Sequence, residues 1–339
     1  MKATDFTRHL TAYLGKYVPE QRNCRPNTIC AYRDVFRLLL LYGKAVRRIS
    51  PDRMTLKVLD HEFITTFLDW LRDERHCEAS TINHRLIVIR AFFEYVQIEE
   101  PALLVACHRI KKIPFRKVPK PPMHYFTEKA TQALLARPGS GTRKAVRDMT
   151  MLSVMYDAAI RVQELLDLSL KNIRFEAPST ITVIGKGNKQ RTVPIMKPTA
   201  SLLREYVKTL GYDYRSQGDH TLFCNSRGSS LTRVGVTYVL KKYANLIKEE
   251  GHQVPARISP HVLRHTRAMH LLRAGVPLIY IRDFLGHVDI KTTQVYADTD
   301  FETKRAAIEK AAIPLQLPAQ ASWERDGNIM EWLLRLCEK

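Results

Sequence analysis

The sequence lacks the features of membrane-spanning and exported proteins. Its 339 residues contain no apolar run near the about 20 residues of a membrane span, and residues 1–20 lack the apolar core of a signal peptide. The six cysteines form no C-x-x-C pair, which argues against a zinc knuckle and a disulfide framework and predicts reduced thiols. We therefore expect a cytoplasmic protein with no membrane contact.

Acidic residues are scarce relative to basic ones. Lys and Arg number 54 and Asp and Glu 34, which gives a formal net charge of +20. Such a surplus predicts a polyanionic partner and salt-sensitive binding. Asp283 and Asp289 do not form the carboxylate cluster of a two-magnesium nuclease, and the pair His261 and His265 lacks the Glu of a zinc H-E-x-x-H motif and has Arg264 between its members. We expect neither a metal nor a cofactor.

The N-terminal third has the pattern of a helical bundle. Apolar residues recur at helical spacing over the first hundred residues, and one of these helices is predicted to start with Ser80 as its cap. The segment RIKKIPFRKVPK, from Arg109 to Lys120, then combines six basic residues with two prolines and no acid. These patterns predict a helical DNA-binding domain over residues 1–108 and an extended, basic linker over 109–124.

The rest of the chain predicts a mainly α fold with a small β-sheet, an α+β domain over residues 125–315. Helical patterns dominate, but the β-prone runs 180–184 and 191–195 flank GKGNKQ, which is typical of a hairpin. The tail, 316–339, is predicted to end in an amphipathic helix. Its apolar positions are Ile329, Trp332, Leu333 and Leu336.

Six side chains of this domain suit one reaction. They are Arg161, Lys186, His261, Arg264, His287 and Tyr296, in the segments AAIRVQEL, GKGNKQR, SPHVLRHTRAMHLLRAG and LGHVDIKTTQVY. Cationic donors are suited to the charge that a DNA phosphate gathers under nucleophilic attack, and His261 and Arg264, three apart on a helix, can face one phosphate. Tyr296, the only tyrosine after His287, is the candidate nucleophile, and a phosphotyrosyl ester would keep the bond energy for rejoining.

These segments resemble the tyrosine recombinase (phage integrase) family over residues 125–315. The family pattern is Arg in an R-x-x-E-L context, Lys in a hairpin turn, H-x-x-R, His or Trp after Leu-Gly, and Tyr about nine residues later, and this chain fills every position. It departs from the pattern at Ala159, where Gly is common, and at Gln163, where Ser is more frequent. The Ala159 departure bears on the loop geometry at Arg161.

The resemblance implies a role for each residue. Arg161 and Arg264 would bind the phosphate oxygens, with a further hydrogen bond from His287. Lys186 would protonate the departing 5′ oxygen, with Lys189 as the alternative. His261 would assist proton transfer from Tyr296. Glu164 would orient the first Arg or a His without acting as an acid or base, and we interpret His265 as structural.

The resemblance also implies a helical core-binding domain, an integrase-type catalytic domain and a partner. That partner is duplex DNA with specific recombination sites. A tetramer would bind it and exchange strands between two sites, for integration, excision or resolution. Accessory DNA-bending or directionality proteins are compatible with this reaction. The tail helix would dock on a neighbouring protomer or in cis. Recombinases of this family act more often on mobile elements than in housekeeping resolution, so we expect a mobile element. A type IB topoisomerase, which nicks and reseals one strand, and a DNA-binding module with a decayed site are the alternatives.

Overall fold

The computed structural model describes residues 3–119, 122–185, 189–211, 218–299, 305 and 329–336. The chain divides into two compact units, Met1–Pro121 and Pro122–Lys339. No helix among the described residues is long and apolar enough to cross a membrane. The expectation of a mainly α fold with one small sheet is confirmed.

The N-terminal unit is helical, as its apolar periodicity predicts. Tyr13, fully buried, packs edge-on against Phe92 at 5.3 Å between ring centroids, and Phe92 packs in turn against Phe6 and Phe36. These rings join the helices into one core. The helices are α1 (Asp5–Ala12), which continues as a π-helix over Tyr13–Gln21, α2 (Pro26–Ala45), α3 (His61–Asp73), α4 (Ala79–Glu99) and α5 (Leu104–Lys111).

Two local predictions in this unit are wrong. Helix α4 begins one residue before Ser80, so Glu78 takes the cap position and Ser80 lies inside the helix. The extended linker does not begin at residue 109, because α5 continues to Lys111 and buries Ile110. Apolar residues at a spacing of three, Cys107, Ile110 and Ile113, enter the core and hold this basic segment against the unit.

Beyond α5 the chain is extended but anchored. The side chain of Asn83 donates a hydrogen bond to the carbonyl of Arg116 and accepts one from its backbone N–H, at 2.8 and 2.9 Å. The guanidinium of Arg116 is paired with Asp69 at 2.8 Å. The first part of the predicted linker is therefore fixed to the N-terminal unit.

The second unit contains a three-stranded antiparallel sheet in the order β1-β2-β3. The predicted hairpin is present, with its second strand one residue earlier than predicted. The short helix α8 was not predicted. The elements are α6 (Glu128–Ala136), α7 (Arg143–Asp157), α8 (Val162–Leu166), β1 (Ile173–Arg174), β2 (Thr180–Ile184), β3 (Gln190–Pro194), α9 (Lys197–Leu210), α10 (Arg233–Glu249), α11 (Pro260–Arg273), α12 (Leu278–Leu285) and α13 (Lys291–Thr299).

Helix α11 organises this unit. It packs on α7, α12 and α13, and its Thr266 hydroxyl accepts a hydrogen bond from the backbone N–H of Phe126 at 3.0 Å. A small apolar cluster of Ala268, Met269, Ile281 and Leu285 forms between α11 and α12. Ala159 and the ring of Tyr296 are the other buried members of this cluster.

The C-terminal apolar spacing is matched by helix α14 (Ile329–Leu336). Four of its apolar residues are exposed, namely Ile329, Met330, Leu333 and Leu334. The helix that the sequence predicts over 301–311 lies outside the described residues, apart from Arg305.

Candidate active site

One buried carboxylate holds two arginines at the start of α8. Glu164, whose side chain is 3% exposed, accepts hydrogen bonds from the backbone N–H and the Nη1 of Arg161, both at 2.8 Å. It also accepts two parallel bonds from the guanidinium of Arg191, again at 2.8 Å. Burial alone would raise the pKa of Glu164, but the bonds from Arg191 and Arg161 lower it to about 2. Glu164 is therefore a structural anion at neutral pH.

Arg191 is a site residue that the sequence interpretation missed. It lies on β3 opposite Val183, and its side chain is nearly buried against Gly286. Gly286 has φ +65°, and a Cβ there would lie 2.8 Å from Cδ of Arg191. The glycine of the Leu-Gly-His motif is thus required by the backbone conformation and by the approach of Arg191. In the sequence, Arg191 is the last residue of the GKGNKQR segment, and that position could have drawn attention to it.

Arg264 is fixed by backbone carbonyls. Its side chain is buried, with Nη1 donating to the carbonyl of Ala159 at 2.7 Å and Nη2 donating to that of Leu285. Burial, with repulsion from Arg161 and Arg191, lowers the pKa of Arg264 to about 9. The guanidinium remains charged at neutral pH, and two of its five N–H donors are engaged by these carbonyls.

The departure from the family pattern at Ala159 coincides with backbone strain. Ala159 is fully buried and has φ +46°, the left-handed region that glycine enters without a steric penalty. Its carbonyl nevertheless accepts the bond from Arg264. The methyl group is therefore tolerated at the expense of local strain, and the position of Arg264 is retained.

The two predicted histidines differ in exposure. His261 lies in the first turn of α11 with its side chain exposed on one side, and partial burial, with Arg264 and Arg161 nearby, lowers its pKa. His287 forms a hydrogen bond through Nδ1 to the hydroxyl of buried Thr293, at 3.0 Å. Burial, with Arg264 and Arg161 nearby, lowers the pKa of His287 to about 4. His287 is therefore a neutral donor or acceptor at pH 7.

Tyr296 is buried between two histidines. Its side chain is 2% exposed in the apolar cluster, and its ring lies parallel to that of His287 at 6.5 Å between centroids. Its hydroxyl is 2.9 Å from Nδ1 of His265. Burial raises the pKa of Tyr296, while Arg264 and Arg161 oppose the rise. The sequence interpretation treated His265 as structural, because its position one step round α11 from Arg264 gave no signal for this contact.

A cleft of about 490 Å³ opens beside these residues. Arg161, His287 and Arg191 line it, together with Lys189, which directly precedes β3 at the turn end of the hairpin. Lys186 lies outside the described residues, so its place relative to the cleft is not described. The cleft can accept an anionic group, since Glu164 is already neutralised by two arginines.

A further histidine of α11, His270, is engaged in two hydrogen bonds. His270 bonds through Nδ1 to the hydroxyl of Tyr156 and through Nε2 to the carbonyl of Phe126. Within the described ranges, no group of three or more His, Cys, Asp or Glu side chains is arranged to hold a metal ion.

Comparison with known proteins matches both units. Residues 124–303 match the phage integrase family, and residues 10–100 match the phage integrase N-terminal SAM-like domain. The chain belongs to the phage integrase family. The resemblance seen in the sequence is thereby confirmed, and the chain is a tyrosine recombinase, an enzyme of the site-specific DNA recombinase class.

Relatives of the recombinase cover most of its length. It is 32% identical over 305 residues to the integrase/recombinase y4rC of Sinorhizobium fredii, covering 89% of this chain and 90% of that protein. It is 31% identical over 292 residues to the tyrosine recombinase XerC of Roseiflexus castenholzii, covering 85% and 88%. The crystal structure of XerH recombinase bound to difH substrate is similar in fold, with 23% identity, a TM-score of 0.65 and coverage of 88% and 83%.

The ion cluster predicts a pH-dependent contribution of Glu164 to stability. Because the folded pKa of about 2 lies below the ordinary value of 4.5, the contribution is full above pH 4.5 and is lost as the pH falls towards 2. Glu164→Gln should therefore lower the free energy of unfolding at pH 7 by roughly 3 kcal/mol, with a smaller gap at pH 3. Urea unfolding at the two pH values measures this. The matched control is Glu62→Gln, an exposed partner of Arg47. An equal gap at both pH values would contradict the assignment.

The strain at Ala159 predicts that a glycine will be more stable there. Ala159→Gly should raise the free energy of unfolding by about 0.5–1 kcal/mol, because relief of the left-handed strain exceeds the entropy that glycine adds to the unfolded chain. The neighbouring Ala158, at φ −84°, is the control, and Ala158→Gly should destabilise. Thermal unfolding measures the stability of both variants. An Ala159→Gly variant less stable than wild type would contradict the assignment of backbone strain at Ala159.

Proposed function

We propose that the recombinase cleaves duplex DNA by attack of Tyr296 on a phosphodiester at a specific recombination site. A 3′-phosphotyrosyl ester forms and a 5′ hydroxyl is released. The 5′ hydroxyl of a partner duplex then attacks this ester and completes strand exchange. The observation that carries the proposal is the position of Tyr296, whose ring stacks on His287, a residue that lines the same cleft as Arg161, and whose hydroxyl contacts α11, the helix that carries Arg264.

The cationic residues support phosphate binding. Arg161 is one-third exposed and lines the cleft. Its Nη1 donates to Glu164 and its Nη2 donates a long bond to the carbonyl of Gly286, and the remaining N–H groups can donate to a phosphate oxygen. Arg264 is charged and buried beside Arg161, where a guanidinium stabilises developing negative charge more strongly than it would in water. His287 lines the same cleft with Nδ1 already held by Thr293, so its Nε2 is available. Exposed His261 suits a further contact with the phosphate.

The leaving group requires an acid. The 5′ oxygen departs as the Tyr296 oxygen joins the phosphorus, and it needs a proton at neutral pH. We assign this proton to Lys186, which lies between the two strands in the sequence, with Lys189, which lines the cleft, as the alternative.

We infer that four protomers hold two duplex sites and are linked through α14. The helix presents four exposed apolar side chains, which an isolated tail helix would leave in water. The catalytic unit has exposed apolar residues of its own on and near α12, including Tyr280 and Val288. Docking of α14 on a neighbouring protomer would cover the apolar side chains of α14 and those on and near α12. A topoisomerase that works as a monomer has no need of such a helix.

The nucleophile is tested by recovering covalent protein–DNA adducts from cells that express the chain. Wild type should yield adducts through a 3′ phosphate at one recurring sequence. Tyr296→Phe should yield none while its affinity for duplex DNA is unchanged, because only the reacting oxygen is lost. A Phe variant that still forms adducts contradicts the assignment, and wild-type adducts scattered along the DNA support the topoisomerase alternative.

The linking role of α14 is tested on a duplex with the sequence recovered in those adducts. The double variant Leu333→Glu, Leu334→Glu places charge on exposed positions and should reduce complexes of four protomers and two duplexes at least tenfold, by light scattering. Binding of one duplex should persist. Glu331→Gln, on the same helix, is the control. Two-duplex complexes of the double variant at the wild-type level would exclude docking of α14 between protomers.

A further inference from the structure

Helix α11 carries two histidines, and each contacts a tyrosine hydroxyl from another element. His270 Nδ1 is 2.9 Å from the hydroxyl of Tyr156, and its Nε2 donates to the carbonyl of Phe126, which fixes both nitrogens in a structural arrangement. His265 Nδ1 is also 2.9 Å from a hydroxyl, but that hydroxyl belongs to Tyr296. The same histidine–tyrosine contact therefore occurs once at a hydroxyl with no proposed role in the reaction and once at the hydroxyl proposed as the nucleophile.

The direction of the His265 contact follows from the charge states. Burial, with His261 and Arg264 nearby, lowers the pKa of His265 to about 4, and burial raises the pKa of Tyr296. At pH 7 the imidazole is neutral and the phenol keeps its proton. In the part of the chain that the structure describes, His265 Nδ1 is the acceptor within hydrogen-bond distance of that phenol. The phenol therefore donates to Nδ1, and Nε2 of His265 carries the ring proton.

We propose that His265 is a catalytic residue, the proton acceptor for Tyr296. This proposal rests on the attack by Tyr296 proposed above. As the bond between Tyr296 Oη and phosphorus forms and the bond between phosphorus and the 5′ oxygen breaks, the phenol proton moves to Nδ1 of His265. The 5′ oxygen takes a separate proton from the acid. In rejoining, the imidazolium of His265 returns its proton to the departing phenolate.

The surroundings of His265 tie this step to bound DNA. The charged and titratable groups that act on it are His261 and Arg264 on its own helix, His287 after α12, and Tyr296 on α13, whose hydroxyl it contacts. All but Tyr296 are cationic or can become so, and they disfavour a charged His265. The negative charge of a phosphate offsets that repulsion, so His265 becomes a useful base when the substrate is present.

His261, to which the family resemblance gives the proton-transfer role, is not the histidine in contact with the phenol. Its ring centroid is 6.5 Å from that of His265, and no described hydrogen bond joins it to Tyr296. Its exposure in the first turn of α11 suits contact with DNA. We therefore separate the two roles and give the proton to His265.

The test compares His265→Asn with His270→Asn in single-turnover cleavage. The substrate is a duplex with the sequence recovered from wild-type adducts, nicked so that the released strand diffuses away. Asn places a neutral oxygen acceptor near the position of Nδ1 but cannot take up a proton. His265→Asn should cleave about 100-fold or more slowly than wild type, whereas His270→Asn should cleave at the wild-type rate once folded. Thermal unfolding and DNA affinity establish that both variants are folded.

The pH dependence of the cleavage rate distinguishes a general base from a residue that only positions Tyr296. Wild type should cleave at a nearly constant rate from pH 6.5 to 8.5, because His265 is already able to accept the proton. His265→Asn should gain about tenfold per pH unit, since only the phenolate fraction of Tyr296 then attacks. Full activity of His265→Asn, or a flat profile at a reduced rate, would overturn the proposal in favour of a positioning role.

Substitution of the leaving oxygen separates the base from the acid. With sulfur in place of the bridging 5′ oxygen, the leaving thiolate needs little protonation, because a thiol has a pKa of about 8.5. The loss in Lys186→Ala should be largely restored on this duplex, and the loss in His265→Asn should persist. Restoration of His265→Asn would place His265 on the leaving-group side and overturn the proposal.

One measurement is independent of cleavage. Nitrogen-15 NMR of histidine-labelled wild type at pH 7 should find Nδ1 of His265 unprotonated and Nε2 protonated, with the Nδ1 signal altered in Tyr296→Phe. A protonated Nδ1 would overturn the proposal even if adducts form. Absence of wild-type adducts, or their persistence in Tyr296→Phe, would instead count against Tyr296 as the nucleophile.

Discussion

The site depends on one carboxylate shared by two guanidinium groups. Glu164 draws Arg161 from the start of α8 and Arg191 from β3 into one hydrogen-bonded cluster, within reach of a third cation, Arg264. Three buried or half-buried guanidinium groups would repel one another without an anion among them. Because Arg191 also packs on Gly286, this cluster connects the hairpin to the loop that carries His287. The net positive charge that remains is available for a phosphate.

The second arginine that we propose to bind the phosphate is held in a different way. Arg264 has no carboxylate partner among the described residues and donates instead to the carbonyls of Ala159 and Leu285. Its place therefore depends on two backbone turns, one with a strained alanine and one that ends at the left-handed Gly286. A guanidinium bound to neutral carbonyls keeps its full charge, whereas one paired with a carboxylate is partly neutralised. This difference suits Arg264 to direct stabilisation of a phosphate.

The sequence predicted the local features well, because helical periodicity, the hairpin turn and the H-x-x-R spacing are all local. Arg191 and His265 were missed for the opposite reason. Arg191 bonds to a carboxylate 27 residues earlier, and His265 contacts a phenol 31 residues later, so neither partner is visible in its own segment. The extended linker was predicted too early because basic residues obscured the apolar spacing of Ile110 and Ile113, which enter the N-terminal core. Long-range packing decided each case.

The central claim is that the oxygen of Tyr296 becomes joined to DNA, and mass spectrometry of the covalent adduct tests it most directly. After nuclease digestion, trypsin should release the peptide Thr292–Lys304, in which Tyr296 is the only tyrosine. The account predicts that this peptide carries a nucleotide through a phosphate on Tyr296. A nucleotide on any other residue, or an unmodified Thr292–Lys304 peptide from purified adduct, would contradict it.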